Sequence, residues 1–206
     1  MNNDGKDHSC FSCIILAAGL STRMGQSKII LPWGSKSVVG TIIDSFKKAR
    51  IRQIIVVTGG YRDEVEAEVA KFNAEIVFNP DFKNGEMIRS FQVGMSILNP
   101  ECSGVFVALG DQPEIDVIDI LGIMDKSDVF PDKLIIPSYS MRRGHPWLVP
   151  KVFFNEIRII RTPDTMKTFI QKHEREIEYY LVQKSNILAD LDTPEDYQRL
   201  KPKKEN

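Results

Sequence analysis

Residues 14–28 read IILAAGLSTRMGQSK, and the change of character inside this stretch decides how the chain is expected to fold. Cys13 to Ala18 is a short apolar run of the kind a buried strand carries. The run then dissolves into small and polar residues: Gly19, Ser21, Thr22, Arg23 and Gly25, with Lys28 just beyond. A strand that breaks into a Gly, Ser and Thr loop exposes backbone N–H groups, which form a nest for an anion, and glycine lets a ligand approach closely. Two cations beside such a nest, Arg23 and Lys28, suit a di- or triphosphate. The spacing is neither Gly-x-x-x-x-Gly-Lys-Ser/Thr nor Gly-x-Gly-x-x-Gly, and the same residues would also serve an ordinary strand-to-helix turn with surface cations.

The rest of the composition narrows the class. A chain of 206 residues fits one domain with a sizeable core, here expected over 10–200 between a disordered lead at 1–9 and a solvated charged tail at 201–206. Lys and Arg number 27 against 28 Asp and Glu, so no excess charge points to nucleic acid or to an anionic membrane surface. No stretch is apolar enough to span a bilayer, and Met1 to Ser9 lacks the features of a signal peptide, so a cytoplasmic protein is expected. The 3 cysteines are Cys10, Cys13 and Cys102, an odd count that fits reduced thiols. Cys10 and Cys13 form a Cys-x-x-Cys, but it leads into a strand, where an offset of three points the two thiols to opposite faces, whereas a redox pair begins a helix. A zinc site needs two further ligands, and His8, His145 and His173 offer no pairing, so a structural role is expected for the cysteines.

Read in order, strands and helices alternate. A helix capped by Ser35 or Ser37 carries Val38, Ile42, Ile43, Phe46 and Ala49 at helical spacing. Strands are expected at Gln53 to Thr58, Glu75 to Phe78, Gly104 to Leu109 and Lys133 to Ile136. Helices are expected between them at Glu64 to Phe72, Met87 to Leu98 (inner face Met87, Phe91, Gly94, Ile97 and Leu98) and Ile115 to Met124. Ser138 to Gly144 reads as a polar turn, Trp147 to Val149 as a short strand, Val152 to Ile160 and Asp164 to His173 as helices, and Ile177 to Val182 as a strand. Thr193 is a natural N-cap, with Pro194 at the first helical position and two acids behind it, so a last helix should run to Leu200. This alternation argues for an α/β domain whose mostly parallel twisted sheet carries helices on both faces.

In an open parallel sheet, ligands bind outside the carboxyl ends of the strands. The Gly19 to Lys28 loop falls there. So does Asp111, directly after the apolar strand Val105 to Leu109, and so does Asp192, read as ending a late short strand. One or two carboxylates so placed are what a Mg²⁺ ion bridging phosphates requires. Taken singly, Asp111 also reads as a turn residue and Asp192 as a helix-start acid.

The same residues carry a family resemblance. Leu16-Ala17-Ala18-Gly19, Ser21, Arg23-Met24-Gly25, Lys28, Leu31-Pro32-Trp33, Asn79-Pro80, Ser90 with Gly94, Gly110-Asp111-Gln112-Pro113, Arg143-Gly144-His145-Pro146 and Asp192-Thr193-Pro194-Glu195-Asp196 follow one another as in the MobA-like nucleotidyltransferases. Within that family the chain resembles the molybdenum cofactor cytidylyltransferase branch. The resemblance implies a single Rossmann-like three-layer domain that uses Mg²⁺, with Mn²⁺ as a substitute. It implies transfer of CMP from CTP to the terminal phosphate of the molybdopterin cofactor, with release of pyrophosphate and transient contact with a client molybdoenzyme. It further implies Arg23, Lys28 and Asp111 as catalytic residues, with Asp111 and Asp192 on the metal. The nucleotide would be held by Leu16, Ala17, Ala18, Gly19, Arg23, Gly25, Lys28, Asn79, Ser90 and Asp111, and the acceptor by Gln112, Arg143, Gly144, His145 and Pro146.

Two departures stand out. The Gly85 to Ser90 segment has one residue more than the family spacing, and Thr162 to Lys167 lacks both glycines of a loop expected to face the pterin. Competing readings are a guanylyltransferase using GTP, a sugar-phosphate or alcohol-phosphate nucleotidyltransferase, a non-catalytic carrier of the cofactor for a molybdoenzyme, and a thiol-redox module.

Overall fold

The structure, a computed structural model, describes residues 11–21, 23–84 and 86–202. The lead at Met1 to Ser9, Cys10, Thr22, Gly85 and the end of the tail at Lys203 to Asn206 lie outside the described residues. In chain order the elements are β1 (Phe11–Ala17), β2 (Pro32–Trp33), β3 (Lys36–Ser37), α1 (Val38–Lys48), β4 (Gln53–Thr58), α2 (Arg62–Val69), β5 (Glu75–Phe78) and α3 (Met87–Met95). They continue with β6 (Gly104–Leu109), α4 (Val117–Val129), β7 (Leu134–Tyr139), β8 (Arg142–Arg143), β9 (Trp147–Pro150), α5 (Phe154–Ile159), α6 (Met166–Lys172), β10 (Ile177–Leu181) and α7 (Pro194–Leu200).

β1 is apolar on both faces because both are covered. Cys13, Ile15 and Ala17 point into one core, formed with Ile42, Ile43 and Phe46 of α1, Val65 and Val69 of α2 and Ile120, Ile123 and Met124 of α4. Ile14 and Ala18 point into the other, formed with Phe91 and Met95 of α3, Ile157 of α5 and Phe169 and Ile170 of α6. Parallel strands sandwiched in this way read as continuous apolar runs, and the expected three-layer α/β class is the one observed. The sheet order is β10-β7-β9-β6-β1-β4-β5, with β8 paired to β7. β1 is parallel to β4 on one side and to β6 on the other. The chain therefore builds outward through β4 and β5 before returning through α3 to β6. The crevice at the carboxyl ends of β1 and β6 is the switch point where open α/β sheets hold ligands.

The structure departs from the sequence reading in several places. β9 runs antiparallel between β6 and β7, and β8 forms inside the segment read as a polar turn. Ser140 and Met141, with φ of 48° and 62°, make the reversal between β7 and β8. Leu31 to Gly34 contributes β2 to a small hairpin with β3. Ser37 rather than Ser35 caps α1, its side chain accepting from the Gly40 N–H. α3 ends at Met95, so its buried face is Ile88, Phe91, Gly94 and Met95, while Ile97 lies past the helix end and is exposed. α4 begins after the Asp116 cap and runs on to Val129. Asp192 does not end a strand: the segment before it is a 3-10 turn at Ser185–Leu188 followed by extended chain. Cys13 is wholly buried in β1, and burial pushes its thiol well above its ordinary pKa, which suits an inert core side chain.

Candidate active site

The glycine loop is pinned at both ends. Gly110 N–H donates to the Leu16 carbonyl at 2.9 Å, and Gly60 N–H to the Ala18 carbonyl at 3.2 Å, which ties the loop to the strands on either side of β1. Ala17, read as a nucleotide-binding residue, is buried in the core at 1% exposure and does not line the cleft beside the loop. Within the loop, Met24 N–H donates to Ser21 O at 2.9 Å and Lys28 N–H to Ser21 Oγ at 3.4 Å. Gly25 has φ of 65°, a conformation that L side chains rarely adopt and that turns the loop back toward the sheet. Ile29, buried directly after Lys28, anchors the far end.

Lys28 is where the sequence-distant parts meet. Its Nζ lies 2.6 Å from Asp111 Oδ2 and 3.2 Å from Asp192 Oδ1, and its side chain is only 14% exposed. Burial works against the charge on Lys28. The attraction of Asp111, hydrogen bonding to both carboxylates and the charge of Asp192 outweigh it, and the ammonium pKa is raised. Arg23, mostly exposed, reaches Asp192 Oδ2 at 3.8 Å from the solvent side. What carries Asp192 to this place is α7. Thr193 and Asp196 close a reciprocal capping box at its start, and Tyr197 packs on Trp33 with ring centroids 6.2 Å apart while its hydroxyl donates to Pro32 O at 2.6 Å. Leu31-Pro32-Trp33 thus serves as the dock for the C-terminal helix, a role no local pattern announces.

Beside the glycine loop lies a small cleft of about 150 Å³, lined by Leu16, Ala18, Gly19, Met87, Ser90 and Leu109 among others. Ser90 is held from behind by Asn79, 1% exposed, whose Nδ2 donates to Ser90 Oγ at 3.0 Å while its Oδ1 accepts from Asp81 N–H. Asn79 therefore acts through Ser90. Met87 and Leu109 were absent from the sequence-based site. Their apolar character marks them only as core until the fold places them at the crevice.

The residues read from the sequence as holding the acceptor separate. β9 pairs antiparallel with β6 as far as Val107 and Trp147, and His145 lies two residues before Trp147. His145 stacks on Trp147 at 4.4 Å, its Nε2 is buried without a partner, and burial lowers its pKa to about 4. Gly144 lies so close to the Ile187 carbonyl that a side chain would collide with it, and His145 N–H donates to that same oxygen at 3.2 Å. Pro146 is buried. Arg143 is engaged on the β10 flank, with Nε donating to Tyr179 Oη at 2.7 Å and Nη2 3.0 Å from Glu174. Thr162 lines a different cleft, of about 450 Å³, with Asp81, Glu86, Arg89 and Arg161. A larger cleft of about 630 Å³ adjoins the carboxylates themselves, lined by Tyr139, Arg142, Asp190, Asp192 and Arg199 among others. Gln112 is 3% exposed and donates from Nε2 to Asp190 Oδ1 at 2.6 Å. Asp190 was not read as a site residue, although it stands two positions before Asp192. Its pKa is raised by burial and then by the nearby charges of Asp111 and Asp192.

Among the described residues no group of three or more His, Cys, Asp or Glu side chains is arranged to hold a metal, and no helix is long and apolar enough to cross a membrane. Asp111 and Asp192 nonetheless converge on one cation, the Lys28 ammonium, so their oxygens fit a hard divalent ion flanked by phosphate and water.

Residues 13–177 match the MobA-like NTP transferase domain. Over 194 residues the chain is 30% identical to the molybdenum cofactor cytidylyltransferase of Escherichia coli K12, covering 92% of this chain and 94% of that protein. The crystal structure of Rv0371c from Mycobacterium tuberculosis superposes with a TM-score of 0.82 at 24% identity, covering 94% of this chain and 98% of that one. The complex of Rv0371c with manganese superposes with a TM-score of 0.77 at 25% identity, covering 92% and 97%. The chain belongs to the MobA-like NTP transferase family and is a nucleotidyltransferase.

Proposed function

We propose that the protein transfers CMP from CTP to the terminal phosphate of the molybdopterin cofactor, releasing pyrophosphate, with Mg²⁺ as the ion and Mn²⁺ as a substitute. The observation that carries the reading is the meeting of Asp111 and Asp192 on a single cation beneath the glycine loop. The choice of acceptor draws on the relative from Escherichia coli, which is named for that cofactor. The choice of CTP draws on the same relative, a cytidylyltransferase by name.

An oxygen of the acceptor phosphate forms the new bond to the α-phosphorus. The bond from that phosphorus to the α,β-bridging oxygen breaks, and its electron pair leaves with pyrophosphate. The attacking oxygen is already deprotonated at neutral pH, so the protein need supply no strong base. It supplies position and charge. The backbone around Ala18, Gly19 and Gly25 lies along the triphosphate, and Arg23 and Lys28 offset the charge that builds on the leaving pyrophosphate. Asp111 and Asp192 would hold the divalent ion, which when bound supplies neutralisation at the reacting and leaving phosphates. The acceptor reaches the α-phosphorus from the cleft of about 630 Å³ that shares Asp192 with the ion pair.

The test is pyrophosphate release from CTP with molybdopterin cofactor and Mg²⁺. The wild-type protein should turn over and Asp111→Ala should not, with both showing the same far-UV spectrum. Turnover by Asp111→Ala would remove Asp111 from the mechanism. Turnover with GTP and none with CTP would overturn the base, and turnover with a sugar phosphate alone would overturn the acceptor.

A further inference from the structure

We infer that Gln112 and Asp190 are positioning residues, a side-chain clasp that sets the spacing of Asp111 and Asp192. The inference rests on the reading that these two aspartates hold the catalytic cation. Asp111 and Gln112 follow β6 directly, while Asp190, Leu191 and Asp192 lie 78 or more residues further along the chain. Two bonds join the segments. Leu191 N–H donates to the Asp111 carbonyl at 3.1 Å, and Gln112 Nε2 donates to Asp190 Oδ1 at 2.6 Å. Together they close a ring running from the Asp111 backbone through the Gln112 side chain to Asp190 and back through Leu191. Asp111 belongs to that ring, Asp192 follows it directly, and both carboxylates reach Lys28 Nζ. Leu191 is wholly buried, so the ring cannot slide along the core.

Two features set the clasp apart from a simple stitch between loops. Gln112 is 3% exposed, yet its Oε1 has no partner. A buried amide with an unmet acceptor costs stability relative to an apolar side chain of the same shape. Asp190 also adds a third carboxylate beside two others, where a neutral acceptor would join the loops without like-charge repulsion. The charge makes the bond to Gln112 shorter and stronger, which holds the aspartates more firmly. Side chains that orient metal ligands in this way commonly contribute 10–100-fold in metal affinity.

The experiment measures Mn²⁺ binding by the electron paramagnetic resonance of the free ion, with and without CTP, and the helical circular dichroism of each variant. Asp111→Asn should lose saturable binding. Gln112→Leu and Asp190→Ala should each weaken binding about 10–100-fold while keeping the fold. Asp190→Asn, which retains an acceptor oxygen, should bind within about threefold of wild type. The double variant Gln112→Leu/Asp190→Ala should be no weaker than the poorer single variant, because both act through one bond. Wild-type affinity in Gln112→Leu and Asp190→Ala, with loss in Asp111→Asn, would overturn the clasp and leave the cation reading standing. Loss in Asp190→Asn as complete as in Asp111→Asn would make Asp190 a ligand and overturn the positioning role. Unchanged binding in Asp111→Asn would overturn the cation reading and the clasp with it.

Discussion

Lys28 Nζ stands 2.6 Å from Asp111 Oδ2, closing a link between the glycine loop and the end of β6. The pair is shielded without being sealed, with side chains 14% and 21% exposed, and Asp192 on the outer side is 50% exposed. Lys28→Met should therefore cost about 1 kcal/mol, well under the cost of breaking a fully buried pair. That is about 2–4 °C in Tm for a protein of this size. Saturating Mg²⁺ should raise the Tm of Lys28→Met more than that of wild type, because the two carboxylates then lack their cation. Turnover should fall by at least about 100-fold. The raised Lys28 pKa makes its stabilising contribution fully present at neutral pH, and lost only as pH climbs past the ordinary lysine value of 10.5. Thermal melts with and without the ion check these points.

His145 should make the protein acid-sensitive. Burial lowers its pKa from 6.5 to about 4, so between those values the unfolded chain takes up a proton that the folded chain refuses. Stability should then fall as pH drops from 6.5 toward 4, by up to about 3 kcal/mol at the acid end. His145→Phe, which keeps a ring stacked on Trp147, should flatten that limb of the curve. Urea melts of both proteins across the range measure it, and parallel curves would remove His145 from the account.

Met87 lines the cleft beside Ala18 and Ser90 that we assign to the nucleoside. Met87→Ala should admit a two-ring base and raise the ratio of kcat/KM for GTP to that for CTP by about tenfold or more. Pyrophosphate release with each nucleotide at several concentrations gives the ratio. An unchanged ratio would place base selection elsewhere.

Asn79 and Ser90 should respond differently to truncation. Asn79→Ala removes both bonds made by a buried amide and should destabilise by about 2 kcal/mol as well as raise the KM for CTP. Ser90→Ala removes one bond and should cost about 1 kcal/mol, with a comparable effect on KM. Chemical denaturation and initial rates separate the two effects.

Much of this molecule is legible along the chain. Gln53–Thr58, Glu75–Phe78 and Gly104–Leu109 emerge with the boundaries expected of them; the first and last are buried and apolar on both faces, and the edge strand Glu75–Phe78 stops where Asn79-Pro80 turns the chain. The caps at Ser37 and Thr193 are equally local, since each satisfies backbone donors within three residues. The place of Asp111 directly after β6 is equally legible, because it follows from where that strand ends.

Strand direction is another matter. β9 looks the same in sequence whether it runs parallel or antiparallel, and only its pairing with both β6 and β7 decides which. The same holds for the site. Lys28 and Asp192 lie 164 residues apart, and Gln112 and Asp190 lie 78 apart. By itself the sequence determined the layers, most of the elements and a glycine loop that follows the first strand. The tertiary structure decided which acids meet which cation, because that depends on strand order and on α7 docking against Trp33, and both are settled by burial between segments remote in the chain.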